Sequence, residues 1–251
     1  MSESPGRRPS FEVVAETAST NALVADRARE GAPDGLVVMA EHQTAGRGRL
    51  DRTWETPPGT ALTFSMLLRP TAPPATWPWL PLLTGLGAAT ALQRLGYAAT
   101  VKWPNDVLIG ERKVGGILVE RVETPTGAAA VVGIGINTGM AADQLPVPTA
   151  TSLSLEPGPE DTPARDEVLV AVVEAVRALY DDWQRDPGAL AERYGAACVT
   201  VGRRVRVELP AGGTLEGEAV AVDDAGRLVV ETSEGRHQVG AGDVVHVRSV
   251  G

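Results

Sequence analysis

Cysteine is almost missing from this chain: Cys198 stands alone among 251 residues. An internal disulfide is excluded, and such sparse thiol usage fits a reducing, cytoplasmic compartment. Cys198 lies in "YGAACVT" with no histidine near it in sequence, so it reads as a small buried side chain rather than a nucleophile. Histidine is nearly as scarce. His42, His237 and His246 are scattered without ligand spacing, which argues against a structural metal centre. No segment approaches the roughly 18 continuous apolar residues that cross a bilayer. The N-terminus "MSESPGRRPS" lacks the apolar stretch of a secretory signal, so residues 1–10 are expected to be a disordered tail. No membrane partner is expected. Positive charge is also in deficit, with a formal net charge of -9. Broad nucleic-acid binding neutralises phosphates over a whole surface, so DNA is not expected as a partner. A local basic site for one small polyphosphate remains open.

What the chain does contain is enough apolar material, 43%, to build a core. "FEVVAE" (11–16) reads as a strand, and "STNALVADRAREG" as a helix with Ser19 or Thr20 near its N-cap and Gly31 as its stop. "LVVMAE" (36–41) reads as a buried strand. "TALTFSMLLR" (60–69) alternates, placing Leu62, Phe64, Met66 and Leu68 on one face of a half-buried strand. A small-residue helix ends at Gly96, and short strands flank "PN" in "ATVKWPNDVLIG". "KVGGILVERV" and "AAVVGIGIN" follow as strands with no crossover helix between them. This order predicts an α+β fold, a mixed and mainly antiparallel sheet packed with helices. Residues 140–163 read as an irregular loop. Residues 165–183 form an amphipathic helix with Val168, Val172, Val176, Leu179 and Trp183 in one stripe, and Pro187 begins a second, short helix. From about Val199, short strands and Gly-rich turns at roughly ten-residue spacing suggest a small SH3-like β-barrel. The expected division is 11–198 and 199–251.

The positive charge that exists is concentrated in "TAGRGRLDRTW" (44–54), which holds Arg47, Arg49 and Arg52, with Arg69 on the next strand. Glycines let backbone amides approach a ligand, and guanidinium groups suit phosphate and carboxylate oxygens. Together they describe an anion clamp, although a solvated surface turn has the same composition. "VKWPNDVLIG" adds Lys102, Asn105 and Asp106 beside a proline turn. A carboxylate near a polyphosphate is a natural Mg²⁺ contact, because Mg²⁺ takes only one or two protein carboxylates. A simple type I turn fits those residues too. "RKVGGILVE" places Lys113 before Gly115 and Gly116, which leave space for a ligand or mark a hairpin. "GIGIN" supplies Gly133, Gly135 and Asn137, without the strand-to-helix context of a dinucleotide fingerprint.

Five blocks taken together, "STN" (19–21), "HQTAGRGR…R.W" (42–54), "KWPND" (102–106), "RKVGGILVE" (112–120) and "GIGIN" (133–137), resemble biotin protein ligases in kind, order and spacing. The resemblance covers residues 11–248. It implies a class II synthetase-like catalytic domain with a small C-terminal β domain, and biotin and ATP as substrates with Mg²⁺. It implies a biotin carboxyl carrier protein domain of acetyl- or propionyl-CoA carboxylase as protein partner, and either a monomer or a homodimer. Ser19, Thr20, Asn21 and Gln43 are then expected around biotin's ureido and valeryl groups. Arg47, Gly48 and Arg49 belong to a loop closing over biotin and phosphate. Arg52 and Lys102 bind ATP phosphates, Trp54 covers the adenine side, and Asn105 and Asp106 lie near phosphates and metal. Lys113 holds the reacting carboxylate and α-phosphate oxygens, with Lys113, Arg49 and Asp106 the catalytic candidates. Gly115, Gly116 and Ile117 line the biotin site, with Gly133, Gly135 and Asn137 nearby. Asp51 stands where the family usually has glycine, which lowers the local positive field. A winged helix-turn-helix needs roughly 50–60 residues and has no room before residue 11, so a ligase without repressor activity is expected. Lipoate or octanoate ligases share this logic, and a non-catalytic carrier-binding module is the remaining alternative.

Overall fold

The structure is a computed structural model that describes residues 9–50, 52–210 and 212–247. In chain order its elements are β1 (Ser10–Thr17), α1 (Thr20–Arg29), β2 (Leu36–Gln43), β3 (Ala61–Leu68), α2 (Trp79–Arg94), β4 (Ala99–Lys102), β5 (Asp106–Ile109), β6 (Arg112–Thr124), β7 (Gly127–Asn137), α3 (Arg165–Arg185) and α4 (Ala191–Ala197). The chain continues through β8 (Arg204–Glu208), β9 (Thr214–Val222), β10 (Leu228–Thr232), β11 (Gly235–Val239) and β12 (Asp243–His246). Ser10 already belongs to β1, and the rest of the expected tail, residues 1–8, lies outside the described residues together with Asp51. No helix of the described residues is long and apolar enough to cross a membrane.

The chain packs as two compact units, residues 1–71 with 112–169, and residues 72–111 with 170–251. In the first unit the strand order is β1-β2-β3-β7-β6. β1 and β2 are parallel and the remaining neighbours antiparallel, so the sheet is mixed and mainly antiparallel, as expected. Parallel neighbours need a crossover, and α1 is that crossover. It lays Val24, Ala25 and Ala28 on Leu36, Val38, Leu67, Val122, Ala129 and Val131. Each such large aliphatic buried contributes about 1.5–3 kcal/mol.

Both ends of α1 have physical causes. At its C-terminus the Ala32 N–H reaches the Arg27 carbonyl at 2.9 Å and the Gly31 N–H reaches Ala28 at 3.2 Å. This is a Schellman ending, and it requires the φ of +95° that Gly31 adopts. At the N-terminus Ser19 occupies the cap position without a side-chain capping bond. The Thr20 N–H is instead accepted by Gln43 Oε1, 2.8 Å away on β2.

Two expectations need correction here. β3 is buried along all eight residues, not half-buried, because α1 covers the face that carries Leu67 while Leu62, Phe64, Met66 and Leu68 are buried on the other. Arg69 does not belong with the loop arginines. Its guanidinium donates to the Ala28 and Ala32 carbonyls and to the Thr124 and Thr126 hydroxyls, tying the end of α1 to the β6–β7 turn. Residues 140–163 are irregular apart from two single 3₁₀ turns, as expected.

In the second unit, α2 and the part of α3 beyond Val170 meet closely at Gly87. A Cβ there would lie 2.8 Å from Val176 Cγ2, so only glycine fits. The expected stripe Val168, Val172, Val176, Leu179 and Trp183 is buried, and so is Cys198. The short helix α4 starts at Ala191 rather than Pro187. Asp186 Oδ1 accepts the Gly188 N–H at 3.0 Å as an N-cap would, but the turns that follow close through i→i+3 bonds, Ala189 N–H to Asp186 O and Ala191 N–H to Gly188 O, before the α-helix begins. β4 and β5 form a hairpin, and β8–β12 form an antiparallel sheet in the order β11-β10-β9-β8-β12. The 223–226 turn of that sheet accepts from two tryptophans, Trp79 Nε1 at Asp224 O (2.7 Å) and Trp103 Nε1 at Gly226 O (3.1 Å).

Candidate active site

One face of the first unit's sheet changes character along its length. Strand pairing sets Ser65 against Gly133, Gly133 against Leu118, and Gly135 against Gly116. Alternation then places Leu67, Ala129, Val131 and Val122 on the same face as Ser65, Gly133, Gly135, Gly116 and Glu120. The apolar residues of this row pack under α1. The glycines and polar residues continue past the helix N-terminus. The sheet face is thus a core at one end and a glycine-floored trough at the other.

Side chains from four segments fill or border the trough. Asn21 enters from the first turn of α1 and abuts Gly133, where a Cβ would clash with its Oδ1. Ser65 Oγ donates to Asn21 Oδ1 at 2.6 Å and lies 2.7 Å from Thr20 Oγ1. Thr20 in turn meets Gln43 Oε1 at 3.1 Å. Asn21 Nδ2 donates to the Leu118 carbonyl and to Glu120 Oε2, at 3.3 and 2.7 Å. Ser19, Thr20, Asn21 and Ser65 are all buried. This is a directional array of amide and hydroxyl groups of the kind that reads a small polar ligand.

The other end of the trough holds Trp54 and Lys113. A Cβ on Gly135 would lie 2.5 Å from Trp54 Cε2, and one on Gly116 would lie 3.2 Å from Lys113 Nζ and 3.3 Å from Trp54 Cζ3. Lys113 Nζ lies 5.8 Å from the Trp54 ring centroid, within cation–π range. Trp54 Nε1 is buried without a hydrogen-bond partner, an uncommon state for an indole N–H. The loop that carries Trp54 is a small hairpin. Arg47 bridges Thr53, Gly48 N–H donates to Arg52 O at 2.6 Å, and Arg52 N–H to Arg49 O at 3.2 Å. Arg49 and Arg52 therefore sit at its tip, and Arg47 at its base pairs with Glu120 at 2.8 Å.

Lys113 is fixed through its backbone. Its N–H donates to Thr149 O and its carbonyl accepts from the Thr151 N–H, both at 2.8 Å. That strap is held by Asn137 Nδ2 on Thr151 O (2.8 Å) and by Glu156, which accepts from Thr151 Oγ1 at 2.5 Å and Arg112 at 2.7 Å. Asn137 thus spends a donor on the strap. Ile117 is buried opposite Ile134, and a Cβ at Gly115 would lie 2.8 Å from Gly135 O, so that glycine serves close strand approach.

The second unit carries "KWPND". Lys102 ends β4, Asp106 begins β5, and the two are register partners. Trp103 is 1% exposed, and its N–H donates to Thr200 Oγ1 at 3.2 Å. Lys102, Asn105 and Asp106 remain partly exposed on this anchored turn. His246 Nε2 lies 3.2 Å from Thr200 Oγ1. Burial, then the positive charges of Lys102 and Arg203, lower the His246 pKa to about 4, so the ring is neutral near pH 7. Among the described residues no three His, Cys, Asp or Glu cluster as a metal site. A single carboxylate such as Asp106 matches the donor set of a phosphate-borne Mg²⁺.

Comparison with known proteins decides the family. Residues 13–137 match the Biotin/lipoate A/B protein ligase family, and residues 200–247 match the Biotin protein ligase C terminal domain. The chain is 40% identical to a biotin–[acetyl-CoA-carboxylase] ligase of Mycobacterium tuberculosis over 95% of its own length and 89% of the relative's. The chain belongs to the biotin protein ligase family. It is also 34% identical to the Paracoccus denitrificans biotin–[acetyl-CoA-carboxylase] ligase, over 92% and 98% of the two chains. Its structure is similar to that of the Aquifex aeolicus biotin protein ligase in complex with biotin and ATP, with 27% identity, a TM-score of 0.80, and coverage of 95% and 99%.

Of the sequence-expected residues in the first unit, Asn21, Trp54, Lys113, Gly116, Gly133 and Gly135 gather about one sheet face, whereas Gly115 and Ile117, expected to line the same site, alternate to the opposite face with Ile136 and Ile134. Trp54 lies over Gly116 and Gly135, positions the resemblance gives to biotin, rather than apart from them. Sequence reasoning missed three residues of the network. Ser65 had a signal, a hydroxyl inside the apolar run "FSML". Glu120 ends the quoted block "GILVE" but had no role assigned. Glu156, 6% exposed in its side chain, gave no sequence signal at all.

Proposed function

We propose that the enzyme is an ATP-dependent biotin–protein ligase. Biotin's carboxylate oxygen attacks the α-phosphorus of ATP, pyrophosphate leaves, and biotinyl-5′-AMP remains. A lysine ε-amine on the biotin carboxyl carrier domain of an acyl-CoA carboxylase then attacks the acyl carbon, giving the amide and AMP. The observation that carries this reading is the trough itself. A side-chain-free floor, Gly116 opposite Gly135, runs from a buried amide–hydroxyl array to a lysine ammonium. A flat bicyclic urea with an anionic tail has the shape and polarity for both ends.

On this reading Ser19, Thr20, Asn21 and Gln43 bind the ureido group, and Gly133 and Gly135 border the ring. Lys113 neutralises carboxylate and α-phosphoryl oxygens as two anions are brought together, a charge that grows toward the transition state. Arg47, Gly48, Arg49 and Arg52 close over the adenylate and exclude water, because a mixed anhydride hydrolyses readily. Lys102, Asn105 and Asp106 serve the polyphosphate, and Asp106 would hold the Mg²⁺ that ATP brings, which offsets phosphate charge when bound. Ile117 and Asn137 support the site from the sheet and the strap, and Gly115 admits the close strand approach. Residues 11–198 form the catalytic region, and 199–251 a small SH3-like barrel.

The test is pyrophosphate release from ATP and Mg²⁺ with biotin, with lipoate or with neither. Biotin-dependent release is the expected outcome. Lipoate-dependent release would transfer the chain to the other branch of the matched family. Release with neither acid, or none at all, would remove the adenylation reading.

A further inference from the structure

We propose that Glu120 is a positioning residue that couples the ligand-reading array to the arginine hairpin, a role that rests on the biotin-ligase reading above. One carboxylate oxygen, Oε2, accepts from two sources. Asn21 Nδ2 lies 2.7 Å away and the Arg47 guanidinium 2.8 Å away. Glu120 stands on the sheet face where the apolar cover of α1 gives way, one same-face step from the core residue Val122. The side chain is about one-third exposed, and its carboxylate is paired on both sides.

The first consequence concerns Asn21. Its amide has two donors on one end and an acceptor on the other. Both donors are taken, one by Glu120 and one by the Leu118 carbonyl. That fixes the opposite end, Oδ1, toward Ser65 and Gly133. A flipped amide would set Oδ1 against a carboxylate and a carbonyl. Glu120, with the shorter and charge-assisted of the two bonds, thus strengthens the orientation that the Leu118 carbonyl also favours, and with it which end of Asn21 the trough presents to a ligand.

The second consequence concerns the hairpin. Arg47 bridges Thr53 across its base, and Trp54 follows directly and lies over Gly135. Gly46 N-terminal to it is packed against the Trp54 carbonyl with no room for a Cβ. Holding the Arg47 head group thus holds the strand that carries Trp54. A hydrogen-bonded chain runs Gln43, Thr20, Ser65, Asn21, Glu120, Arg47. What binds at one end of this chain sets how firmly the hairpin is held at the other.

The two roles separate in two substitutions. Glu120→Gln keeps an acceptor for Asn21 but removes the charge opposite Arg47, and Glu120→Ala removes both. Three quantities are read on the full chain with biotin, ATP and Mg²⁺. They are the KM for biotin, the AMP formed without carrier protein as a measure of leaked adenylate, and amide hydrogen exchange in residues 44–54 without ligand. Loss of a hydrogen bond to a charged group predicts about a tenfold rise in KM for Glu120→Ala. Glu120→Gln leaves KM within about twofold of wild type while the leak and the hairpin exchange rise as they do in Glu120→Ala. Arg47→Ala reproduces the leak, and the double variant Arg47→Ala/Glu120→Ala leaks no more than either single one. Melting temperatures within a few degrees of wild type show that the fold is retained. Additive leaks in the double variant, or unchanged KM and leak in folded Glu120→Ala, overturn the proposal. If wild type releases no pyrophosphate with biotin, the function reading falls by itself. Hairpin exchange unchanged in both variants then removes Glu120 on either footing.

Discussion

The half of one sheet face under α1 and the half beyond the helix follow opposite rules. Under α1, Leu67, Ala129, Val131 and Val122 are packed side chain to side chain. A few residues along the same strands, Gly133, Gly135 and Gly116 withhold side chains, and Ser65 and Glu120 place polar atoms where a core would have none. Two arginines repeat the contrast. Arg69 spends its guanidinium on protein carbonyls and hydroxyls, which is a structural use. Arg47, about half exposed, pairs with Glu120 at the base of a hairpin. Identity of residue type therefore says little about role. What differs is whether the surroundings already satisfy the group.

The comparison can be broken at either end. The largest effect is expected at the open end. Lys113→Ala should raise the barrier to biotin adenylation by about 3–4 kcal/mol, by analogy with loss of one oxyanion donor. Its melting temperature should stay near wild type. Pyrophosphate-release kinetics with a thermal melt check both halves of that statement, and normal adenylation by the folded variant would remove Lys113 from the chemistry. At the covered end Leu67→Ala should cost about 3 kcal/mol of stability through lost contact and a residual cavity. Activity per folded molecule should be retained, as read by urea titration beside the same assay. Between the two lies Gly133→Ala. Its methyl group must displace Asn21, so it should weaken biotin binding by about 1–3 kcal/mol, with a smaller change in kcat. Titration calorimetry would detect this, and unchanged affinity would detach Asn21 from the ligand.

The smallest effect is a pH dependence in the second unit. The His246 pKa is lowered from 6.5 to about 4, so the folded state binds its proton less readily than the unfolded state. The resulting stability is fully present above pH 6.5 and is lost as pH falls toward 4. The ring is half-exposed, so solvent moderates the effect. Melting temperatures measured between pH 7 and pH 4 should fall less steeply in His246→Gln than in wild type. Parallel curves would mean that the histidine carries no such linkage.

Much of this protein was legible before folding was considered. Helix α3 follows from a 3.6-residue apolar period, and the end of α1 from a glycine that can take positive φ. The mainly antiparallel pairing follows from strands that succeed one another without crossover helices, and the parallel β1–β2 pair from the crossover α1. The five motif blocks were legible as well, because glycine, arginine and lysine in such density are poor core material. β3 was misread because alternation reports one buried face. It cannot report that a helix on the Thr63–Ser65–Leu67 side buries the other. α4 was misread by a turn because Asp186 and Pro187 are start signals in sequence, while the 187–190 segment they open closes by i→i+3 bonds and becomes α-helical only from Ala191.

The sequence by itself determined the element types, the family, and which residue kinds are reserved for anions. These depend on local backbone preference and on side-chain chemistry, and both are properties of short segments. Only the tertiary structure decided that Asn21, Ser65, Glu120 and Arg47 share one hydrogen-bonded chain, and that Trp54 lies across Gly135 and Gly116. Strand register brings together residues nearly a hundred positions apart, and a shift of one residue would turn each to the opposite face.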